Sequence, residues 1–323
     1  MRAIDPNSRQ ICQISIFAFG GVCLLLGLSS PALAEKTDIQ GIRRTYRELR
    51  AFQVPDDANV EDHEIPPRIR LLQTKFKHQA RALIISILDH DMDSMSMPPS
   101  QISTAIRTRF KDLKLTTRSK EHLPFFSFGH VLHVCVSRPP EHPDFLAIAL
   151  VIDGGWDEDQ SLYILQHQSS GWVIVLAAEV NGYVQVWDAQ SSRFNYAISP
   201  PAVDGSWFLV TSSVNPHMAS AWQHVTYSAL APGPDTDHPK VLMRHTHVIY
   251  LAGSSDESHA CHIKITATSF RVSFSMGWEP GGRDKRFIDE YRVVNGKARR
   301  TAARCVTRNI MGRSAPCDPE DTM

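Results

Sequence analysis

The hydrophobic period of this chain changes once, near Lys120, and does not change back. Before that point apolar residues recur every three or four positions, the spacing of one helix face. Ile39, Ile42, Tyr46 and Leu49 trace a first helix, with Thr37 or Asp38 able to cap it. Pro55 and the acidic run to Glu64 interrupt the pattern. A second helix is entered at Pro66-Pro67 and ends near Asp89, with Ile69, Leu72, Phe76, Ala80, Leu83 and Ile87 on one face. A third begins at Ser100 and carries Ile102, Ile106, Phe110 and Leu113.

After Lys120 the alternation has period two, as in strands with one buried face. The predicted strands fall into three sets of four. The first is His130–Val136, Phe145–Ile152, Leu162–His167 and Trp172–Ala178. The second is Phe194–Ile198, Trp207–Thr211, Trp222–Leu230 and Val241–Leu251, with Pro232-Gly-Pro-Asp read as the turn between its last two members. The third is His262–Thr268, Phe270–Met276, Arg286–Val294 and Lys297–Val306. Asn295-Gly296, flanked by apolar runs, is a strong two-residue hairpin signal. Most of the links are too short for crossover helices, so pairing should be largely antiparallel. The expected class is α+β, mainly antiparallel, with propeller-like or sandwich-like sheets and an N-terminal helical segment at 35–120. The β-rich domain is expected over 121–306, with a tail at 307–323.

The spacing around Trp207, Trp222 and Pro239, and the segment Val134-Cys-Val-Ser-Arg-Pro-Pro140, are similar to those of uncharacterised exported bacterial proteins with propeller-like, β-rich domains. That resemblance implies a repeated-sheet layout over about two thirds of the chain. It implies no activity.

Arg2 and Arg9 precede an apolar run from Ile11 to Leu28, and Ala32-Leu-Ala34 follows it. This is the layout of a cleaved signal peptide over residues 1–34, with Glu35 the first mature residue. The expected location is periplasmic or extracellular, with no stable membrane insertion after cleavage. Export alters the reading of Cys135, Cys261, Cys305 and Cys317, because disulfides persist in oxidising compartments. Cys305 and Cys317 could close a short loop across Gly312 and Pro316; Cys135–Cys261 is a second pairing, and a buried free thiol is the alternative for those two. No Cys-x-x-Cys occurs.

Lys+Arg and Asp+Glu both number 34, so the whole chain has no general attraction for nucleic acid, and none is expected as a partner. The balance is nevertheless uneven, because basic residues outnumber acidic ones between Arg283 and Arg313.

Searches for catalytic motifs fail. There is no Gly-x-Ser-x-Gly, His-Glu-x-x-His, Walker loop or Gly-x-Gly-x-x-Gly, and the catalytic residues remain unknown. Among 15 histidines, His245 and His247 stand two apart on a strand and so share a face, but no carboxylate has a telling spacing to them. They are the weak metal candidates of a chain for which no metal or other cofactor is expected. The methionines after Asp89 could suit copper(I) but read more simply as a loop that packs on its neighbours. The acidic loop Asp153–Asp159 could offer oxygens to calcium, yet its spacing does not match an EF-hand. The six tryptophans all lie in the strand region and are expected mainly in the core. The leading expectation is an exported, non-enzymatic binding or envelope-associated module for a protein or carbohydrate ligand. The alternative is an exported hydrolase of cell-wall or carbohydrate material.

Overall fold

The computed structural model describes residues 38–51, 67–90, 93–115, 130–153, 157–179, 184–185, 195–216, 222–250, 261–279, 283–309 and 314–316. Three helices come first: α1 (Ile39–Arg50), α2 (Pro67–His90) and α3 (Pro99–Asp112). Asp38 caps α1, its side chain accepting from the Gly41 amide at 2.8 Å. Each helix buries the face that its period marks out: Ile42, Tyr46 and Leu49; Phe76, Ala80, Leu83 and Ile87; Ile102, Ile106 and Phe110. Phe76 is 0% and Ile87 2% exposed, each burial worth about 1.5–3 kcal/mol. No helix among the described residues is long and apolar enough to cross a membrane.

The strands form three antiparallel sheets, each a meander in chain order. The first contains β1 (His130–Ser137), β2 (Phe145–Asp153), β3 (Asp157–Gln168) and β4 (Gly171–Glu179), with the short β5 (Val184–Gln185) beside β3. The second contains β6 (Asn195–Ile198), β7 (Leu209–Pro216), β8 (Trp222–Asp235) and β9 (His238–Tyr250). The third runs through β10 (His262–Ile265), β11 (Ser269–Glu279), β12 (Arg283–Val294), β13 (Lys297–Asn309) and β14 (Ser314–Pro316). All three predicted groups of four are present. Within the first, Leu162–His167 pairs with Trp172–Ala178 as expected.

Packing follows the alternation of each strand. One face of the first sheet, with Leu146, Ile148, Leu150 and Tyr163, covers the helices. Its other face, with Ala147, Leu162, Ile164 and Leu176, meets Leu209 and Leu230 of the second sheet. The second sheet then turns Val210, Val225, Tyr227 and Ala229 toward Phe270, Val272 and Phe274 of the third. The order of layers is therefore helices, first sheet, second sheet, third sheet.

Polar ties fix the register of the layers. Arg81 of α2 forms a paired contact with Asp237 in the β8–β9 turn, one limb of it at 2.8 Å. Lys77, 1% exposed, meets Glu179 at 3.0 Å. The buried His142 ring donates to the Ser199 carbonyl at 2.7 Å and stacks on Phe145.

Two turns differ in how well local chemistry announced them. Asn295 and Gly296, at φ 51° and 67°, join β12 to β13 as predicted. The β8–β9 turn lies instead at Thr236-Asp237, beyond the Pro232-Gly-Pro-Asp cluster, which stays within the strand. An irregular register between Ala231 and Asp235 lets the ladder pass the two prolines. A Cβ at Gly233 would strike the His238 carbonyl, which accounts for glycine there.

Cys135 and Cys261 are free thiols, one exposed and one buried, so the second pairing considered above does not form. Cys305 is buried. Cys317 lies outside the described residues, and with it the expected Cys305–Cys317 bridge; so do residues 1–34, the expected signal.

Candidate functional site between the second and third sheets

The inner face of β9 carries His245 and His247, whose ring centroids stand 4.5 Å apart, edge to face. Strand period alone puts both on this face. Tyr227 of β8 is the direct cross-strand partner of His245 and packs against both rings. From the facing sheet, β12 presents Phe287, Asp289 and Tyr291 at alternate positions. Asp289 is an aspartate on an otherwise aromatic stripe, and only 2% exposed.

A buried carboxylate needs partners, and Asp289 has several. Oδ2 accepts from His247 Nε2 at 2.7 Å and from the Tyr227 hydroxyl. Tyr227 and Tyr291 share a hydroxyl contact of 3.0 Å, and Arg300 Nη1 stands 4.0 Å from Oδ1. Burial pushes the Asp289 carboxyl up, but the hydrogen bonds from His247 and Tyr227 outweigh it and hold the group below the usual range. It is ionised at neutral pH. Burial, followed by the neighbouring Asp289, drives the Tyr227 phenol far above its ordinary value, so it stays a donor. Burial and the second imidazole push His245 down, which favours its neutral form. Phe274 and Phe287 lie 5.1 and 5.8 Å from the His247 ring, forming apolar walls on the third-sheet side.

His245, His247 and Asp289 each aim one donor atom into a space where these atoms lie within 4.8 Å of one another. The two histidines were visible as candidates in the sequence. Asp289 was not, because it reaches them across two packed sheets. One signal could have found it: a lone acid on the apolar face of a strand that reads Phe-x-Asp-x-Tyr.

The outer face of the same third sheet is of opposite character. Lys264, Arg271, Arg286, Arg292, Arg299 and Arg304 are all exposed, with Glu290 among them. Glu290 meets Arg271 at 2.5 Å and Arg304 at 3.8 Å. Lys264 is opposite Arg271, and Arg292 opposite Arg299, in the strand ladders. Like charges placed directly opposite one another oppose sheet pairing.

The other candidates separate plainly. Met95 is exposed and Met97 packs on the helical core, while Ser94 donates to the Leu88 carbonyl and accepts from Trp172 Nε1. That segment is a tethered link between α2 and α3. Trp172 is buried, and the half-buried Trp207 packs edge-on against Phe145, as core tryptophans should. Trp156, Trp187, Trp222, Trp278 and the carboxylates of the Asp153–Asp159 loop lie outside the described side chains.

No protein-family model matches the chain, and a search of curated proteins finds no match.

Proposed function

We propose that the protein is an exported, non-enzymatic binding module of the bacterial envelope that holds an anionic glycan on the outer face of its third sheet. The observation that carries this reading is the pairing of like charges there. Lys264 against Arg271 and Arg292 against Arg299 cost stability in isolation. A polymer bearing carboxylates or phosphates would offset that cost, since guanidinium forks take such groups two bonds at a time. The chain is neutral overall, so this face is a local concentration of charge rather than a reflection of composition. A meander sheet exposed on one side offers a flat, extended platform suited to a polymer rather than a cleft suited to a small molecule.

The experiment is retention of the purified protein on an immobilised anionic cell-wall polysaccharide, with a neutral glucan as control. Retention should fall as salt rises through the physiological range. An Arg292→Glu/Arg299→Glu variant should elute with the neutral control. Retention unaffected by salt or by the double variant would overturn the reading, as would tighter binding to duplex DNA than to the polysaccharide. Export itself is tested by the mature terminus, expected at Glu35; an intact chain in the cytosol that keeps Met1 would contradict it.

A further inference from the structure

We propose that His245, His247 and Asp289 form a binding site for one divalent transition-metal ion, zinc in the first instance, with Tyr227 as a positioning residue. The site is separate from the basic outer face and rests on separate observations.

Two nitrogens and one carboxylate oxygen make up the donor set of three-ligand zinc sites that keep a further position open. The same set argues against calcium and magnesium, which take oxygens, and against copper(I), which prefers sulfur. For bond lengths near 2.1 Å, donor atoms around a tetrahedral ion stand roughly 3.4 Å apart. Here the three donors already lie within 4.8 Å of one another, with His247 and Asp289 in direct contact at 2.7 Å. Small rotations of side chains suffice to admit the ion. His247 then carries its proton on Nδ1 and turns the Nε2 lone pair to the metal.

The imidazole nitrogens of His245 have no hydrogen-bond partner among the described residues, although the ring is half-buried and crowded by a second imidazole. A purely structural network around Asp289 would need Tyr227 and His247 but gives His245 nothing to do. A metal ion supplies its missing partner.

The surroundings have the form of a supporting shell. Tyr227 donates to Asp289 and is itself in contact with the Tyr291 hydroxyl, so the carboxylate is aimed before any ion arrives. Phe274 and Phe287 wall off one side of His247. The His247 side chain is still 23% exposed, which leaves an approach from solvent and an open coordination position. Arg300, 4.0 Å from Asp289 and 47% exposed at its side chain, balances the carboxylate and must swing away when the ion enters.

The test is zinc titration of the chelator-stripped full chain, read by calorimetry and by thermal unfolding. The chain should take one zinc with a rise in Tm, as expected of a ligand that binds only the folded state. His245→Ala removes a half-buried ring packed on Tyr227 and His247, so the zinc-free chain should still unfold cooperatively with a slightly lower Tm, while affinity should fall at least 100-fold. Tyr227→Phe should weaken binding about 10- to 100-fold. Arg300→Ala should tighten it, an effect that a structural role for Asp289 would not produce. Absence of stoichiometric binding would overturn the proposal. So would a His245→Ala protein that still binds one zinc with unchanged affinity, which would place the ion among others of the 15 histidines.

Discussion

Between the helices and the first sheet, most buried side chains are aliphatic or plain aromatic, among them Ile42, Leu49, Phe76, Ile84, Ile87, Ile106, Leu146, Ile148 and Leu150, and the buried Lys77 is paired with Glu179. Between the second and third sheets, Phe270 and Phe274 share the space with Tyr227, Tyr291, Asp289 and the two histidines. The first interface is held by area removed from water, which is tolerant of detail. The second contains a carboxylate that stays buried only while each donor around it remains in place. A chain that needed the third sheet only for stability would gain more from apolar residues at Asp289 and His247. The contrast locates stability at the helical end of the stack and chemistry at the other.

Substitutions can break or sharpen that contrast. Phe76→Ala, at the fully buried centre of the helical core, should cost about 3–5 kcal/mol, read from denaturant unfolding. A cost near zero would mean that the helices are not integral to the stack. Cys305→Ser comes next. The Val306–Pro316 ladder pair stands one residue short of Cys305 and Cys317, so we expect a bridge there. Closing a loop of about a dozen residues, it should contribute roughly 2–3 kcal/mol. Peptide mapping without reductant that found both thiols free would remove it from the account.

Tyr227→Phe should destabilise by about 1–3 kcal/mol, because it strips a donor from a buried carboxylate. The change keeps the ring and its packing, so the loss reports the hydrogen bond. The same deletion of a hydroxyl at an exposed position should be close to neutral.

The smallest effect concerns acid. The hydrogen bond from Arg81 holds the Asp237 carboxyl below its usual range. A depressed carboxyl contributes stability above its unfolded value of about 3.9 and loses it as pH falls through the lower folded value. Melting temperature should therefore carry the pair's full contribution, unchanged with pH, between pH 7 and about 5, then decline below about pH 4. Asp237→Asn should remove part of that decline. An identical acid limb in the variant would show that the contact is too exposed to matter.

Much of this layout could be read from residues. The switch of period separates α1–α3 from the strands, and the short turns between strands prescribe meanders rather than crossovers. Asn295-Gly296 named its hairpin because two consecutive positive φ angles suit those residues. Pro232-Gly-Pro-Asp misled, because an irregular ladder can carry prolines and the chain reverses one step later, where Asp237 finds Arg81. Sequence also could not say which sheet faces which. His247 and Asp289 are 42 positions apart, and among the described residues no strand ladder joins β9 to β12. Their meeting depends on stacking, to which local pattern is blind.

The division of labour is tested most directly by comparing two variants in one pair of assays, unfolding and retention on the anionic polysaccharide. Leu150→Ala, fully buried against the helices, should lose about 2–5 kcal/mol of stability and, while still folded, bind the polymer as the parent does. Arg292→Glu/Arg299→Glu leaves like charges opposite one another, so it should unfold near the parent's temperature, and it should lose retention. A charge-reversed protein that still binds, or a Leu150→Ala protein that stays folded yet no longer does, would contradict the separation of stability from binding.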